Sequence, residues 1–220
     1  MSRFVNDPSV FPRPLFPPPA RLAVLISGRG SNFEALAEAC ASGGIPAKIV
    51  LVASDNPAAE GLRSAEKRGI SARVVDWAAF PNRQAREAAL LAALKAEAVD
   101  LICLAGFMRI LSAAFVLGWP LRILNVHPSL LPSFPGLEAQ AQALDYGVRL
   151  TGATVHFVDA GTDTGPIVAQ AAVPVHPGDD AQALAARILP VEHALYVAAL
   201  RRVLEGGWRI SGRTVRFPGS

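Results

Sequence analysis

Arg21-Leu-Ala-Val-Leu-Ile-Ser-Gly-Arg-Gly-Ser-Asn-Phe-Glu-Ala-Leu-Ala-Glu-Ala-Cys-Ala41 places a short apolar run, a glycine-rich turn and a helical pattern in immediate succession. Arg21–Ile26 reads as a strand and Asn32–Ala41 as a helix that Asn32 can cap. The same alternation continues along the chain. Ala47–Ala53, Ala72–Val75, Leu101–Ala105 and Ile123–His127 read as strands, and Ala58–Arg68, Asn82–Ala96 and Ser112–Leu117 as helices. Asn56-Pro57 supplies a cap followed by proline at a first helical position. Strands alternating with helices predict an α/β protein: a three-layer, mostly parallel twisted sheet with helices on both faces. After a further helix over Leu137–Gly147 the rhythm changes. Gly152–Phe157 and Ile167–Pro174 form two strand-like runs that would pair antiparallel late in the chain, at the sheet edge. Asp180 then caps a long helix, Ala181–Glu205, in which Pro190 should introduce a kink or local break. Gly206-Gly207 ends that helix, and Trp208–Phe217 has the alternation of a terminal hairpin.

The turn Ser27-Gly-Arg-Gly-Ser-Asn32 carries chemistry of its own. Glycines let the backbone turn sharply and approach a ligand. Free N–H groups at a helix start, with the positive end of its dipole, bind phosphate. Phe33 stands where a dinucleotide fingerprint needs its third glycine, and no Gly-Lys-Ser follows, so a phosphomonoester suits this turn better than a dinucleotide or a nucleoside triphosphate.

A second constellation lies in Ile123-Leu-Asn-Val-His-Pro-Ser-Leu-Leu-Pro132 and the distant loop Val158-Asp-Ala-Gly-Thr-Asp-Thr-Gly-Pro166. Residues two apart on a strand share a face, so Asn125 and His127 stand side by side, with Pro128 ending the strand. An amide can donate to a developing oxyanion, an imidazole can move a proton, and the Asp163 carboxylate can orient the ring and favour its charged form. No metal is required. Of the other histidines, His156 alternates with Val155 and Phe157 and reads as structural or as supporting the site. His176 reads as solvated, and His193 as packed on a helix beside Glu192. Asp159 is read equally as a turn former and as a ligand contact.

Composition bounds the function. The chain has 220 residues, 51% of them hydrophobic, and a net charge of +3 with scattered basic residues. That suits small anionic ligands and argues against nucleic acid, whose binders cluster their charge. The two cysteines, Cys40 and Cys103, match no metal spacing or disulfide framework and fit a reducing cytoplasm. No run approaches a membrane span of roughly 20 apolar residues, and Met1–Ala20 lacks the form of a signal peptide. This proline-rich lead is read as a disordered or extended terminus, leaving residues 21–220 as one domain.

Taken together, the blocks resemble the phosphoribosylglycinamide formyltransferases, a branch of the folate-dependent formyltransferases. The matching segments are Val24–Asn32, Leu104–Ser112, Leu124–Pro132, Thr154–Asp159, Asp163–Pro166 and Glu192-His193. The resemblance implies a Rossmann-like formyltransferase fold. It also implies transfer of the formyl group of 10-formyltetrahydrofolate to the amino group of glycinamide ribonucleotide in purine synthesis. By carry-over, Asn125, His127 and Asp163 form the catalytic triad. Gly30, Ser31, Asn32 and Glu192 hold the phosphate and ribose of the ribonucleotide. Arg83, Phe107, Met108, Arg109, Ile110, Leu111, Asp159 and Asp163 contact the folate. No metal is expected, and the protein is expected to be a monomer or homodimer. This chain departs from the family pattern at Ser133, Glu138 and Leu189-Pro190, the last beside the phosphate site. Other readings stay open: a formyltetrahydrofolate hydrolase, a methionyl-tRNA formyltransferase, a non-catalytic folate- or nucleotide-binding module, and a nicotinamide-dependent dehydrogenase.

Overall fold

The computed structural model describes residues 15–219. In chain order the elements are β1 (Ala20–Ile26), α1 (Ser31–Ala41), β2 (Ala47–Ser54), α2 (Glu60–Lys67), β3 (Ser71–Val74), α3 (Arg83–Ala96), β4 (Leu101–Leu104) and α4 (Ala113–Leu117). They continue with β5 (Ile123–His127), α5 (Ala139–Tyr146), β6 (Leu150–Phe157), β7 (Ile167–Pro174), α6 (Ala181–Glu205), β8 (Arg209–Ser211) and β9 (Thr214–Arg216). One sheet holds the strands in the order β3-β2-β1-β4-β5-β6-β7-β9-β8. Neighbours from β3 to β5 are parallel, while β6 runs antiparallel to both β5 and β7.

The continuous apolar run of β1 follows from its place at the centre. Leu22, Val24 and Ile26 pack with Phe33 and Leu36 of α1 and with Leu200 and Val203 of α6. Ala23 and Leu25 point the other way, to Leu90 and Leu94 of α3 and Phe115 of α4. Period-two alternation thus feeds two cores, one on each face. Leu22, Val24, Leu25 and Ile26 are fully buried, each worth about 1.5–3 kcal/mol in surface removed from water.

Some expectations need revision. Residues 1–14 of the proline-rich lead lie outside the described residues, but its end is packed rather than loose. The Leu15 side chain is buried, its N–H donates to the Leu204 carbonyl at 3.0 Å, and Arg122 lies over the Phe16 ring at 5.3 Å. β7 is not the edge, because the β8–β9 hairpin extends the sheet beyond it. Trp208 anchors that hairpin: it is fully buried, 5.1 Å from the Phe157 ring, and its indole N–H donates to the Val203 carbonyl at 2.9 Å. Helix α6 runs through Pro190 unbroken. Pro190 and Ala186 are both on the exposed side, so the carbonyl that loses its helical donor meets water. This helix is also long and apolar enough, by length and composition, to match a membrane span. Here Leu184, Ile188, Tyr196, Leu200 and Val203 bury one of its faces. Asn56 caps no helix: its side chain accepts from the Ala58 N–H and donates to the Ser27 carbonyl, tying the end of β2 to that of β1.

Chain order reverses between β1 and β4, the topological switch point at which open α/β sheets bind ligands beyond the carboxyl ends of their strands. The turn after β1, the loop after β4 and the end of β5 meet there.

Candidate active site

Gly30, at φ 79°, forms the entry to α1, which starts at Ser31 with no side-chain cap. Among the described residues no side chain accepts from its first-turn N–H groups, the state in which a helix start attracts an anion. Asn32 does not cap the helix as its residue type suggested. Its amide instead donates to Glu192 of α6 at 3.3 Å, and its Oδ1 has no partner among the described residues. Both side chains are buried, and burial pushes the Glu192 carboxyl up, against the bond from Asn32. Gly61 of α2 lies under the turn, where a Cβ would sit 3.3 Å from both the Arg29 carbonyl oxygen and the Gly30 Cα.

The turn is joined to the loop after β4. Ser27 donates its N–H to the Gly106 carbonyl at 3.0 Å and accepts from the Met108 N–H at 2.8 Å. Beyond this seam a cleft of about 400 Å³ is lined by Phe107, Met108, Arg109, Ile110 and Leu111 on one side. Asn125, His127, His156, Asp159 and Asp163 line it as well. Met108 and Ile110 are 60% and 68% exposed, an apolar surface open to a flat ring, whereas Leu111 turns into the core. Arg83 does not line the cleft. It donates to the Ile110 carbonyl at 2.6 Å and to Glu87 at 3.2 Å, and Glu87 in turn accepts from the backbone N–H and hydroxyl of Ser112. Its contact with the loop is therefore one of support from behind. Arg109 lines the cleft and pairs with Asp55.

The three triad residues converge. Antiparallel pairing of β5 and β6 sets Asn125 opposite His156 and His127 opposite Thr154. Directly opposed residues in such a pair lie about 4.5–5.5 Å apart at Cβ, and the Asn125 amide nitrogen comes to 3.2 Å from His156 Nε2. Asp163, in left-handed backbone at φ 54°, reaches both imidazoles: Oδ2 is 3.5 Å from His127 Nδ1 and Oδ1 is 3.5 Å from His156 Nε2. The Gly136 N–H donates to Asp163 Oδ2 at 2.8 Å. Burial pushes the Asp163 carboxyl up, but His156, the Gly136 N–H and the charge of His127 together outweigh it and hold it below the ordinary carboxylate range.

The ring contacts constrain the protons. His127 Nε2 lies 2.8 Å from the Phe134 carbonyl, which can only accept, so Nε2 carries hydrogen. Nδ1 faces the Asp163 carboxylate. His156 Nδ1 lies 2.9 Å from the Phe157 carbonyl and carries hydrogen for the same reason. Its Nε2 accepts from Asn125 when the ring is neutral and donates to Asp163 when it is charged.

His156 is thus in the site, not merely beneath it. Its alternation with buried neighbours concealed this, because only the β5–β6 register sets it beside Asn125. Asp55 also escaped sequence reasoning, which offered no signal that the end of β2 would meet the loop after β4. Asp159 accepts from the Gly161 N–H at 3.1 Å and the Thr164 hydroxyl at 2.6 Å, so its side chain holds the loop turn while the residue lines the cleft. Gly30, Ser31, Asn32 and Glu192 form a second group across the seam and do not line the cleft. Of the departures from the family pattern, Ser133 accepts at its carbonyl from the Ser129 hydroxyl at 2.5 Å, and Glu138 begins α5 in left-handed backbone.

Known proteins share this sequence and fold. The formyl transferase family model matches residues 20–200. The chain is 48% identical over 198 residues to phosphoribosylglycinamide formyltransferase of Mycobacterium tuberculosis, covering 89% of this chain and 90% of that protein. It is 50% identical over 193 residues to the trifunctional purine biosynthetic protein adenosine-3 of Drosophila melanogaster, covering 87% of this chain but only 14% of that much longer protein. Glycinamide ribonucleotide transformylase 1 from Symbiobacterium toebii superposes with a TM-score of 0.88 at 51% identity, covering 90% of this chain and 93% of that one. The chain belongs to the formyl transferase family, in its phosphoribosylglycinamide formyltransferase branch.

Proposed function

We propose that this protein transfers a formyl group from 10-formyltetrahydrofolate to the amino group of glycinamide ribonucleotide, a step of purine synthesis. The observation that carries the reading is the convergence of Asn125, His127 and Asp163 on one cleft, beside a helix start suited to phosphate.

In this reading the open first turn of α1, with Gly30 and Ser31, holds the ribonucleotide phosphate. Asn32 and Glu192 meet the ribose or amine end. The folate lies against Met108 and Ile110, and its amide and carboxylate groups meet the Asp159–Asp163 loop and Arg109. The amine nitrogen attacks the formyl carbon and the carbonyl oxygen takes up negative charge. Asn125 donates to that oxygen, which requires its amide to turn from His156, and the His127 imidazolium sets positive charge beside it. Collapse of the tetrahedral intermediate breaks the bond from carbon to N10; the attacking nitrogen gives up one proton to solvent and N10 takes one up as tetrahydrofolate departs. His127 Nε2 rests on the Phe134 carbonyl. A proton reaches N10 only as the bond to Phe134 is exchanged. Loss of one oxyanion donor typically costs about 10²–10³-fold, and loss of acid–base help about 10²–10⁴-fold.

The test is an absorbance assay for tetrahydrofolate formation with and without glycinamide ribonucleotide. Turnover that depends on the ribonucleotide supports transfer. Equal turnover without it identifies a hydrolase, and no turnover with folded protein favours a binding module. Asn125→Ala, His127→Ala and Asp163→Ala should each fold and lose most activity. A near-normal rate in any of them removes that residue from the mechanism.

A further inference from the structure

Arg109 is the only lysine or arginine among the described residues that line the cleft. Its guanidinium is fixed from behind. Nε donates to Asp55 Oδ2 at 2.6 Å, and the guanidinium carbon lies 5.1 Å from the centre of the Trp77 ring. Trp77 is itself held by Arg86 at 4.5 Å and by the edge of Phe107 at 6.4 Å. The Asp55 side chain is 3% exposed, and its Oδ1 has no hydrogen-bond partner among the described residues. A carboxylate buried this deeply is strongly disfavoured without a cation, and Arg109 is the ion-pair partner the structure supplies. The pair uses only Nε. The two Nη nitrogens have no acceptor among the described residues, and the Arg109 side chain is 48% exposed.

We infer that Asp55 is a positioning residue for the folate donor: it locks Arg109 through Nε so that the Nη nitrogens meet one donor carboxylate, and it thereby sets donor affinity. The inference rests on the folate reading above and adds a residue that lies outside the cleft lining. A guanidinium clamped on one side and stacked on an aromatic ring has already lost the rotamer freedom that a flexible arginine loses on binding. The same carboxylate also neutralises part of the cation, so Asp55 both orders Arg109 and moderates its pull on an anion. These effects separate by substitution. Asp55→Ala removes the clamp. Asp55→Asn keeps an oxygen acceptor for Nε and removes only the charge.

The test is calorimetric titration of the full chain with tetrahydrofolate in its mono- and triglutamate forms, alongside steady-state kinetics. Asp55→Ala should weaken binding roughly ten-fold and raise the donor KM in proportion. Its kcat and ribonucleotide KM should stay near wild type. Asp55→Asn should bind at least as tightly as wild type, with the greater gain for the triglutamate. Adding Asp55→Asn to Arg109→Ala should change nothing further, because the two act through one contact. If Asp55→Ala does not fold, Asp55→Asn decides alone: weaker binding than wild type overturns the role of Asp55. Unchanged binding in a folded Asp55→Ala does the same, as does a kcat loss with donor KM intact. A wild-type chain that binds no tetrahydrofolate overturns the donor reading itself.

Discussion

Gly165→Ala tests whether the Asp163 loop is held by its backbone seam with β6. A Cβ at Gly165 would lie 1.8 Å from the Phe157 carbonyl oxygen, 2.9 Å from the Phe157 carbonyl carbon and 3.3 Å from the Asp159 backbone nitrogen. All three are main-chain atoms, so no side chain can swing aside. A carbon rests about 3.3 Å from a carbonyl oxygen, and the loop must therefore retreat by roughly 1.5 Å. Asp163, two residues away, sits 3.5 Å from each imidazole and accepts from the Gly136 N–H at 2.8 Å. A displacement of that size breaks the Gly136 bond and separates the carboxylate from one or both rings. Misplacing a catalytic group by about 1 Å costs about 10²-fold, and overpacking typically costs about 1–3 kcal/mol of stability. The expected outcome is a kcat lowered about 10²-fold with the ribonucleotide KM little changed, since Gly30, Ser31 and Glu192 lie across the seam. Steady-state kinetics and urea denaturation measure the two effects. In an Asp163→Ala background the kinetic loss from Gly165→Ala should vanish while the stability loss remains. A folded Gly165→Ala enzyme with kcat within a few-fold of wild type would refute the claim that this seam positions the carboxylate.

Gly61→Ala should act at the other end of the site: its Cβ meets Ile26 Cδ1 at 2.4 Å and the backbone of Arg29 and Gly30 at 3.3 Å. The phosphate turn must shift, so the ribonucleotide KM should rise several-fold with donor KM unchanged in the same assay. Tyr196→Phe removes a buried hydroxyl that donates to the Leu104 and Leu124 carbonyls at 3.1 and 3.0 Å. It should lower unfolding free energy by about 1–2 kcal/mol in urea titration and leave the rate near wild type. Glu192→Gln should stabilise the fold at neutral pH. The Glu192 carboxyl is pushed up by burial, so its contribution is fully present below the unfolded pKa of about 4.3 and is lost as pH rises through the folded value. The urea midpoint of the variant should therefore exceed that of wild type at pH 7–8, and the gap should close towards pH 4. A gap that grows on acidification would show that the charged form is the one stabilised.

The layered sheet was legible because its cause is local. A strand buried on both faces, such as Leu22–Ile26, reads as an uninterrupted apolar run, and Asp180 caps the helix it precedes. Likewise, Asn125 and His127 share a face because of a spacing the sequence displays. What escaped was set by partners distant along the chain. His156 joins the site because β6 turns back against β5 in one register, and a slip by one residue would send it to the opposite face. Asn32 has the residue type of a cap, yet Glu192, 160 positions later, engages its amide. Asp55 meets Arg109 across 54 positions. Pro190 spares α6 because of which side of the helix it occupies, a fact fixed by packing rather than by its identity.

The Asp163 and Glu192 carboxyls are driven in opposite directions, and in the proposed reading the difference separates their tasks. Asp163 is surrounded by donors: two imidazole faces and a backbone N–H. These favour the ionised form over the cost of burial. Glu192 has a single amide donor at 3.3 Å, and burial prevails, raising its pKa. It stands across the seam, towards the helix start that would receive a phosphate dianion, where a fully ionised carboxylate would oppose the ligand. A carboxyl that resists ionisation there reduces that repulsion and still offers hydrogen bonds to a ribose or an amine. In the proposed reading, a carboxyl favoured in its ionised form thus stands near the reacting carbon and one pushed towards its neutral form near the anchoring phosphate. The environments that make the difference are a backbone N–H from the loop before α5 in one case and the packed face of α6 in the other.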